Sequence, residues 1–135
     1  MGEPSLDNFR RAYLANLELF NSHDFADAFA GFPAEFEWWS FDGSPFGRGP
    51  DGVAAAFVEL VEDLAEWRVE PQEFTEVGPG RFLIACHGRG TGRVSGADPV
   101  ARWFQLWEFE GGLPARVREF RARDEAVAAT SALPR

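Results

Sequence analysis

The residues from Val100 to Phe109 could build a binding wall. In a strand, Trp103, Gln105, Trp107 and Phe109 share one face, so three large aromatics surround a single amide. Such a surface suits a flat, apolar or aromatic small molecule, with Gln105 donating and accepting hydrogen bonds without titrating. Proton transfer would then fall to carboxylates. Two are candidates: Glu119, in the last strand-length run, and Asp42, two residues beyond Ser40 in a turn-rich loop. Burial would raise a lone glutamate toward neutral pH, where a general acid or base works best. Arg121 lies two residues away on the same face, at roughly 6.5–7 Å, and would lower it again. The same pair therefore also reads as a structural or ligand-orienting ion pair. Asp42 could reach a pocket mouth, but its setting is that of a solvated turn aspartate.

Whether Glu119 faces the aromatic wall depends on the hairpin between the last two strands. A three-residue loop, Glu110 to Gly112, pairs Phe109 with Leu113, sets Trp103 opposite Glu119 and turns Glu119 and Arg121 inward. A two-residue loop turns Arg116, Arg118 and Phe120 inward instead. The first is favoured, because it places Val117 beside Gln105, whereas the second crowds three bulky groups there, two of them charged.

Several chemistries are excluded by what the chain lacks. All thirteen basic residues are arginine, so no lysine can form a Schiff base, hold pyridoxal phosphate or complete a phosphate loop. One cysteine, Cys86, and two histidines, His23 and His87, are too few for a Cys/His zinc site or an intrachain disulfide. No metal and no cofactor are expected. A net charge of −9 opposes nucleic acid and anionic membrane surfaces as partners. The first residues have neither a basic region nor an apolar run, and no stretch approaches membrane-spanning length, so a cytoplasmic protein is expected. Cys86 reads as a buried small hydrophobe, His23 as part of a helix junction and His87 as a residue of the opposite sheet face.

The elements that must position these groups follow from periodicity. Leu6, Phe9, Tyr13, Leu17 and Phe20 recur at helical spacing behind a Ser5 or Asp7 cap. A short second helix carries Phe25, Ala28, Phe29 and Phe32 on one face and is stopped by Gly31 and Pro33. Glu35 to Phe41 alternates as a strand. Gly49-Pro50-Asp51 opens a third helix with Pro at its first position. Trp67 to Val77 reads as a strand, which Pro71 marks as an edge or a bulged one. A three-strand meander from Arg81 to Asp124 follows, with a loop at Ser95-Gly96-Ala97-Asp98, and Asp124 caps a last helical turn. The 135 residues fit one α+β domain, a curved antiparallel sheet with helices packed on one face.

That order resembles the SnoaL-like branch of the nuclear transport factor 2-like superfamily. The resemblance rests on Asn21-Ser22-His23-Asp24 before an apolar helix, the Trp38-Trp39-Ser40 strand, Gly49-Pro50-Asp51-Gly52-Val53, the Gly-Arg-rich run Gly88 to Gly96, and Gly112 followed by the last strand and Asp124-Glu125-Ala126. It implies a cone-shaped half-barrel, in which three N-terminal helices cover the concave face of a strongly curved, mainly antiparallel sheet around a deep pocket. It also implies a homodimer, expected to form through the convex face. Members include polyketide cyclases, ketosteroid isomerases, epoxide hydrolases, dehydratases and non-catalytic binding domains, so the fold does not choose among them.

In ketosteroid isomerases the resemblance assigns a base to the position of Ser40, a strand acid to Gln105 and a tyrosine to Asn16, with Tyr13 one turn earlier. None of the three matches. The Asp-Arg-Asp set of limonene-type epoxide hydrolases is missing too, since Cys86 and Gly88 take the inward positions. The expectation is a small-molecule-binding protein. If catalytic, it is a cofactor-independent isomerase, cyclase or lyase with Glu119 or Asp42 as the acid–base group. Tyr13, Asn16, Trp38, Ser40, Trp103, Gln105, Trp107 and Arg121 are the expected ligand contacts. The alternative is a non-catalytic ligand-binding or protein-interaction module.

Overall fold

A computed structural model describes residues 2–62, 64–92 and 100–131. The expected loop at residues 95–98 lies outside them. Helices α1 (Leu6–Asn21) and α2 (Phe25–Phe29) are followed by strands β1 (Glu37–Trp39) and β2 (Pro45–Arg48) and by α3 (Gly49–Val61). Strands β3 (Leu64–Gly78), β4 (Arg81–Gly92), β5 (Val100–Glu110) and β6 (Leu113–Phe120) then form a meander that ends in α4 (Arg123–Ser131). The open, curved sheet has the order β2-β1-β6-β5-β4-β3, with β1 and β6 parallel and every other neighbouring pair antiparallel.

Local chemistry sets the ends of these elements. Ser5 caps α1, its Oγ accepting the Asn8 N–H at 3.1 Å. The Asn21-Ser22-His23-Asp24 junction also makes long-range bonds. Asn21 Nδ2 donates to the Val69 carbonyl at 3.0 Å, and Asn21 Oδ1 accepts the Val69 N–H at 2.8 Å. His23, with φ of 63°, brings Nε2 within 2.8 Å of the Trp67 carbonyl. The junction thus ties α1 to β3, the edge strand, whose backbone would otherwise be open on that side. Pro71 does both things expected of it, lying on this edge strand and beside a bulge between Pro71 and Glu73.

The stretch read as one strand, Glu35 to Phe41, is shorter and has a partner that the sequence did not reveal. Strand β1 ends at Trp39, and the chain turns through Asp42 and Gly43 into β2, which the alternation rule missed because Pro45-Phe46-Gly47-Arg48 has no apolar period. Gly47 is needed there, since a Cβ would sit 2.7 Å from the Val53 Cα of α3.

Helices α1, α2 and α3 cover the concave face. Phe9, Tyr13, Phe20, Phe25, Phe29 and Phe57 pack with Trp38, Phe82, Ile84, Trp107 and Val117 of the sheet. The expectation of packing on one face only is corrected by α4. Its Ala126 is wholly buried against Leu83 and Leu106 on the convex face, with Val77, Phe104 and Phe120 around them. Leu83 and Leu106 are cross-strand partners, one residue out of phase with the concave-facing Ile84 and Gln105.

Candidate functional site

The register of β5 against β6 decides which groups meet on the concave face. Gly111 and Gly112 have φ of 61° and 81° and make a two-residue turn, with Glu110 opposite Leu113. Neither simple hairpin results. Phe109 pairs with Pro114 but Glu108 pairs with Arg116, so Ala115 is an extra residue in β6. Proline has no N–H for the ladder, and strand prolines collect at such bulges. The Phe109 N–H instead donates to the Gly80 carbonyl at 2.8 Å. The bulge reverses the alternation beyond it: Val117 lies opposite Trp107, and Glu119 lies opposite Gln105 rather than Trp103.

Between this face and the helices lies a cavity of about 280 Å³. Phe9, Leu17, Phe29, Phe32, Trp38 and Trp107 supply most of its apolar wall, and Tyr13, Asn16 and Gln105 are the polar residues that line it. Gln105 is buried, and its Oε1 accepts two hydrogen bonds, from the Tyr13 hydroxyl at 3.1 Å and from Trp107 Nε1 at 3.0 Å. An indole N–H can only donate, so the amide must present its oxygen to Trp107, and Nε2 is left as a donor. Burial holds the Tyr13 hydroxyl well above its ordinary pKa, with Cys86 and Glu119 adding to the effect. Tyr13 is therefore a neutral donor at any ordinary pH.

Glu119 stands one strand further on. The residue as a whole is half-buried, but its carboxyl end is enclosed, and burial raises its pKa from 4.5 to about 7. The Trp38 and Trp103 indoles act on the carboxylate in the opposite sense, favouring its charged form. Neither closes a full hydrogen bond, since both Nε1 atoms are buried without a partner. Burial also pushes the Cys86 thiol far up, which keeps it protonated.

The SnoaL-like domain family matches residues 11–117. The chain belongs to the SnoaL-like family. No curated protein matches it in sequence. Among solved structures it is similar to an NTF2-like protein of unknown function from Burkholderia pseudomallei, with a TM-score of 0.72, 22% identity and 93% of this chain and 97% of that one covered. It is also similar to TerC, co-crystallized with polyporic acid (TM-score 0.70, 19% identity, 90% and 94% covered). A third likeness is to a Mycobacterium tuberculosis protein in complex with estradiol-17β-hemisuccinate (TM-score 0.67, 16% identity, 84% and 92% covered). At these identities the likeness establishes the fold.

Within this SnoaL-like fold the expected site residues divide. Tyr13, Asn16, Trp38, Gln105 and Trp107 meet at the cavity, and Glu119 lies beside Gln105 without lining it. Four residues do not meet there. Asp42 is exposed, and its carboxylate accepts from the Ser44 hydroxyl at 2.6 Å and the Ser44 N–H at 3.0 Å, which holds its pKa below the usual carboxylate value. It is a turn residue and a poor base. Ser40 belongs to the same turn, its N–H donating to the Ser44 carbonyl. Trp103 stacks on Trp67 with 6.0 Å between centroids, away from the cavity wall. Arg121 is exposed and lies over Phe41, 4.5 Å from the ring centroid, so it forms no ion pair with Glu119.

Phe9, Ala12, Leu17 and Phe32 also form cavity wall, and the sequence did not mark them as such, although Phe9, Leu17 and Phe32 lie on helix faces legible as apolar. Among the described residues no three His, Cys, Asp or Glu come together as a metal site, and no helix is long and apolar enough to cross a membrane.

Proposed function

We propose that this SnoaL-like protein binds an apolar or aromatic small molecule in the cavity between α1, α2 and β5, and acts on it by acid–base chemistry without a cofactor. The observation that carries the binding reading is the composition of the cavity: aromatic walls with a few polar groups converging at Tyr13, Asn16 and Gln105. Tyr13 and Gln105 orient the ligand, Asn16 offers a further amide, and Trp38 and Trp107 give flat surfaces for it. Glu119, with a pKa of about 7, is the group suited to take or give a proton near neutral pH. Isomerase, cyclase or lyase chemistry fits such a set. The relatives that carry polyporic acid and estradiol-17β-hemisuccinate support a ligand of similar character. The protein is proposed to work in the cytoplasm as a homodimer.

One observation favours a non-catalytic binding module on the same fold: Glu119 does not line the cavity. The two readings separate experimentally. Denaturing the purified protein and identifying by mass spectrometry any small molecule it carried would supply the ligand. Glu119→Gln should then abolish turnover while leaving the ligand bound. Unchanged turnover would refute the acid–base role, and a Trp107→Ala variant that still gains full thermal stabilisation from hydrophobic ligands would refute the cavity as the binding site.

A further inference from the structure

The cavity lining that keeps contact with solvent includes Ala12 and Asn16 of α1 on one side and Phe109 and Pro114 of the β5–β6 hairpin on the other. Tyr13, Gln105 and Trp107, deeper in, are buried. A ligand that reaches Gln105 therefore passes between α1 and the hairpin. The hairpin side of this passage is loosely built. Pro114 has no N–H to give Phe109, Ala115 is bulged out of the ladder, and the Phe109 N–H donates instead to the Gly80 carbonyl at 2.8 Å. Phe109 itself is anchored, edge-on to Phe9 at 5.7 Å and to Phe82 at 5.8 Å. Beyond it the tip has no place in the core: Glu110, Gly111 and Leu113 are exposed, Leu113 by 53%. A hairpin end with few buried contacts and an interrupted ladder opens at small cost in free energy. One residue reaches across to hold it. Glu3 stands two positions before the Ser5 cap of α1, and its Oε1 accepts the Gly112 N–H at 2.9 Å over a separation of 109 residues. Its methylenes lie on Gly80, where an added Cβ would fall 2.7 Å from the Glu3 Cγ.

We propose that the hairpin tip, Glu110 to Pro114, is a gate on the cavity and that Glu3 is its latch. The gate rests on the cavity being the ligand site and adds how that site is reached. Glu3 is fixed to the start of α1, so its bond to Gly112 ties the two sides of the passage together at one end. Breaking that bond frees the tip to pivot between anchored Phe109 and bulged Ala115, which carries Pro114 away from α1. Reclosing restores Pro114 to the cavity wall behind the ligand. A single solvent-exposed hydrogen bond suits this role. It is strong enough to keep the closed form the major one and weak enough to leave an open fraction in exchange with it.

The test follows binding of the neutral fluorescent probe N-phenyl-1-naphthylamine by stopped flow. A latch acts on the passage and not on the bound ligand, so Glu3→Ala should raise the association and dissociation rates together, each roughly fivefold, with Kd unchanged. Glu3→Gln, which keeps an acceptor oxygen for Gly112, should stay close to the wild-type rates. Amide hydrogen exchange reads the tip without a ligand: in Glu3→Ala the Gly112 and Leu113 amides should exchange faster, while that of Leu106 in the buried part of β5 does not change. Rates or tip exchange unaltered by Glu3→Ala, or a change in dissociation alone, would overturn the gate while leaving the cavity. Failure of the probe to bind at all would overturn the cavity reading, and the gate with it.

Discussion

Gln105 and Glu119 stand directly opposite each other on β5 and β6, a neutral amide facing a carboxyl whose pKa is raised to about 7. Each depends on the other's surroundings. Gln105 is held by Tyr13 and Trp107, so its oxygen is committed, and no cation among the described ion pairs reaches Glu119. Desolvation therefore dominates the carboxyl's titration.

This carboxyl should make stability fall as pH rises. Its folded pKa, about 7, lies above the ordinary glutamate value of 4.5. Between those values the unfolded chain has released the proton and the folded one retains it, so the unfolded state binds fewer protons and stability declines with pH across that window. Relative to the wild-type protein, Glu119→Gln should gain on the order of 3 kcal/mol between about pH 4.5 and pH 8. Urea unfolding of both proteins at the two pH values measures it. A difference that does not change with pH would mean the carboxyl is solvated.

The shared acceptor predicts an asymmetry between losing one donor and losing the acceptor itself. Tyr13→Phe removes one donor and leaves Gln105 with Trp107, at a cost of about 1 kcal/mol. Gln105→Leu strands both buried donors and should cost about 2–5 kcal/mol. Equal losses in chemical denaturation would contradict the geometry.

On the convex face, Glu108 is 4% exposed and takes Arg116 at 2.9 Å and Arg118 at 3.0 Å, with Arg81 at 3.7 Å. The bulge at Ala115 is what brings Arg116 to this face. Replacing Glu108 by leucine leaves three partly buried guanidinium groups without their carboxylate, and a loss of about 3–5 kcal/mol is expected. Thermal melts at low and high salt would show it, with a small salt dependence because the cluster is shielded.

Gly88 sits under the Trp67–Trp103 stack, where an added Cβ would fall 2.3 Å from Trp67 Cη2 and 2.6 Å from Trp103 Cζ3. Gly88→Ala should therefore destabilise by about 1–3 kcal/mol and alter the near-ultraviolet circular dichroism of the stacked indoles. An unchanged spectrum with unchanged stability would show that the stack yields without cost.

Much of the architecture could be read from local pattern. The helices of the concave layer declared themselves through phenylalanine spacing and Ser5. The pleat placed Trp103, Gln105, Trp107 and Phe109 on one face. Pro71 announced an irregular edge. Less legible was β2, a four-residue strand without apolar alternation, and α4, whose role depends on a convex patch made by Leu83 and Leu106 from two different strands.

The sequence by itself determined the types of residue available: a strand face of aromatics around Gln105, two candidate carboxylates in Glu119 and Asp42, and no lysine. Local periodicity also assigned faces within each strand, because side-chain alternation is a property of one chain segment. Which faces meet was decided only by the folded sheet. The Ala115 bulge beside Pro114 set the register that brought Glu119 to Gln105, and Asp42 and Arg121 were left outside by a turn and by a stacking contact on Phe41. The Tyr13–Gln105 hydrogen bond spans 92 residues, and no short-range rule carries information over that distance. Register and helix docking are set by packing between segments far apart in the chain, so that part of the site existed only once they had come together.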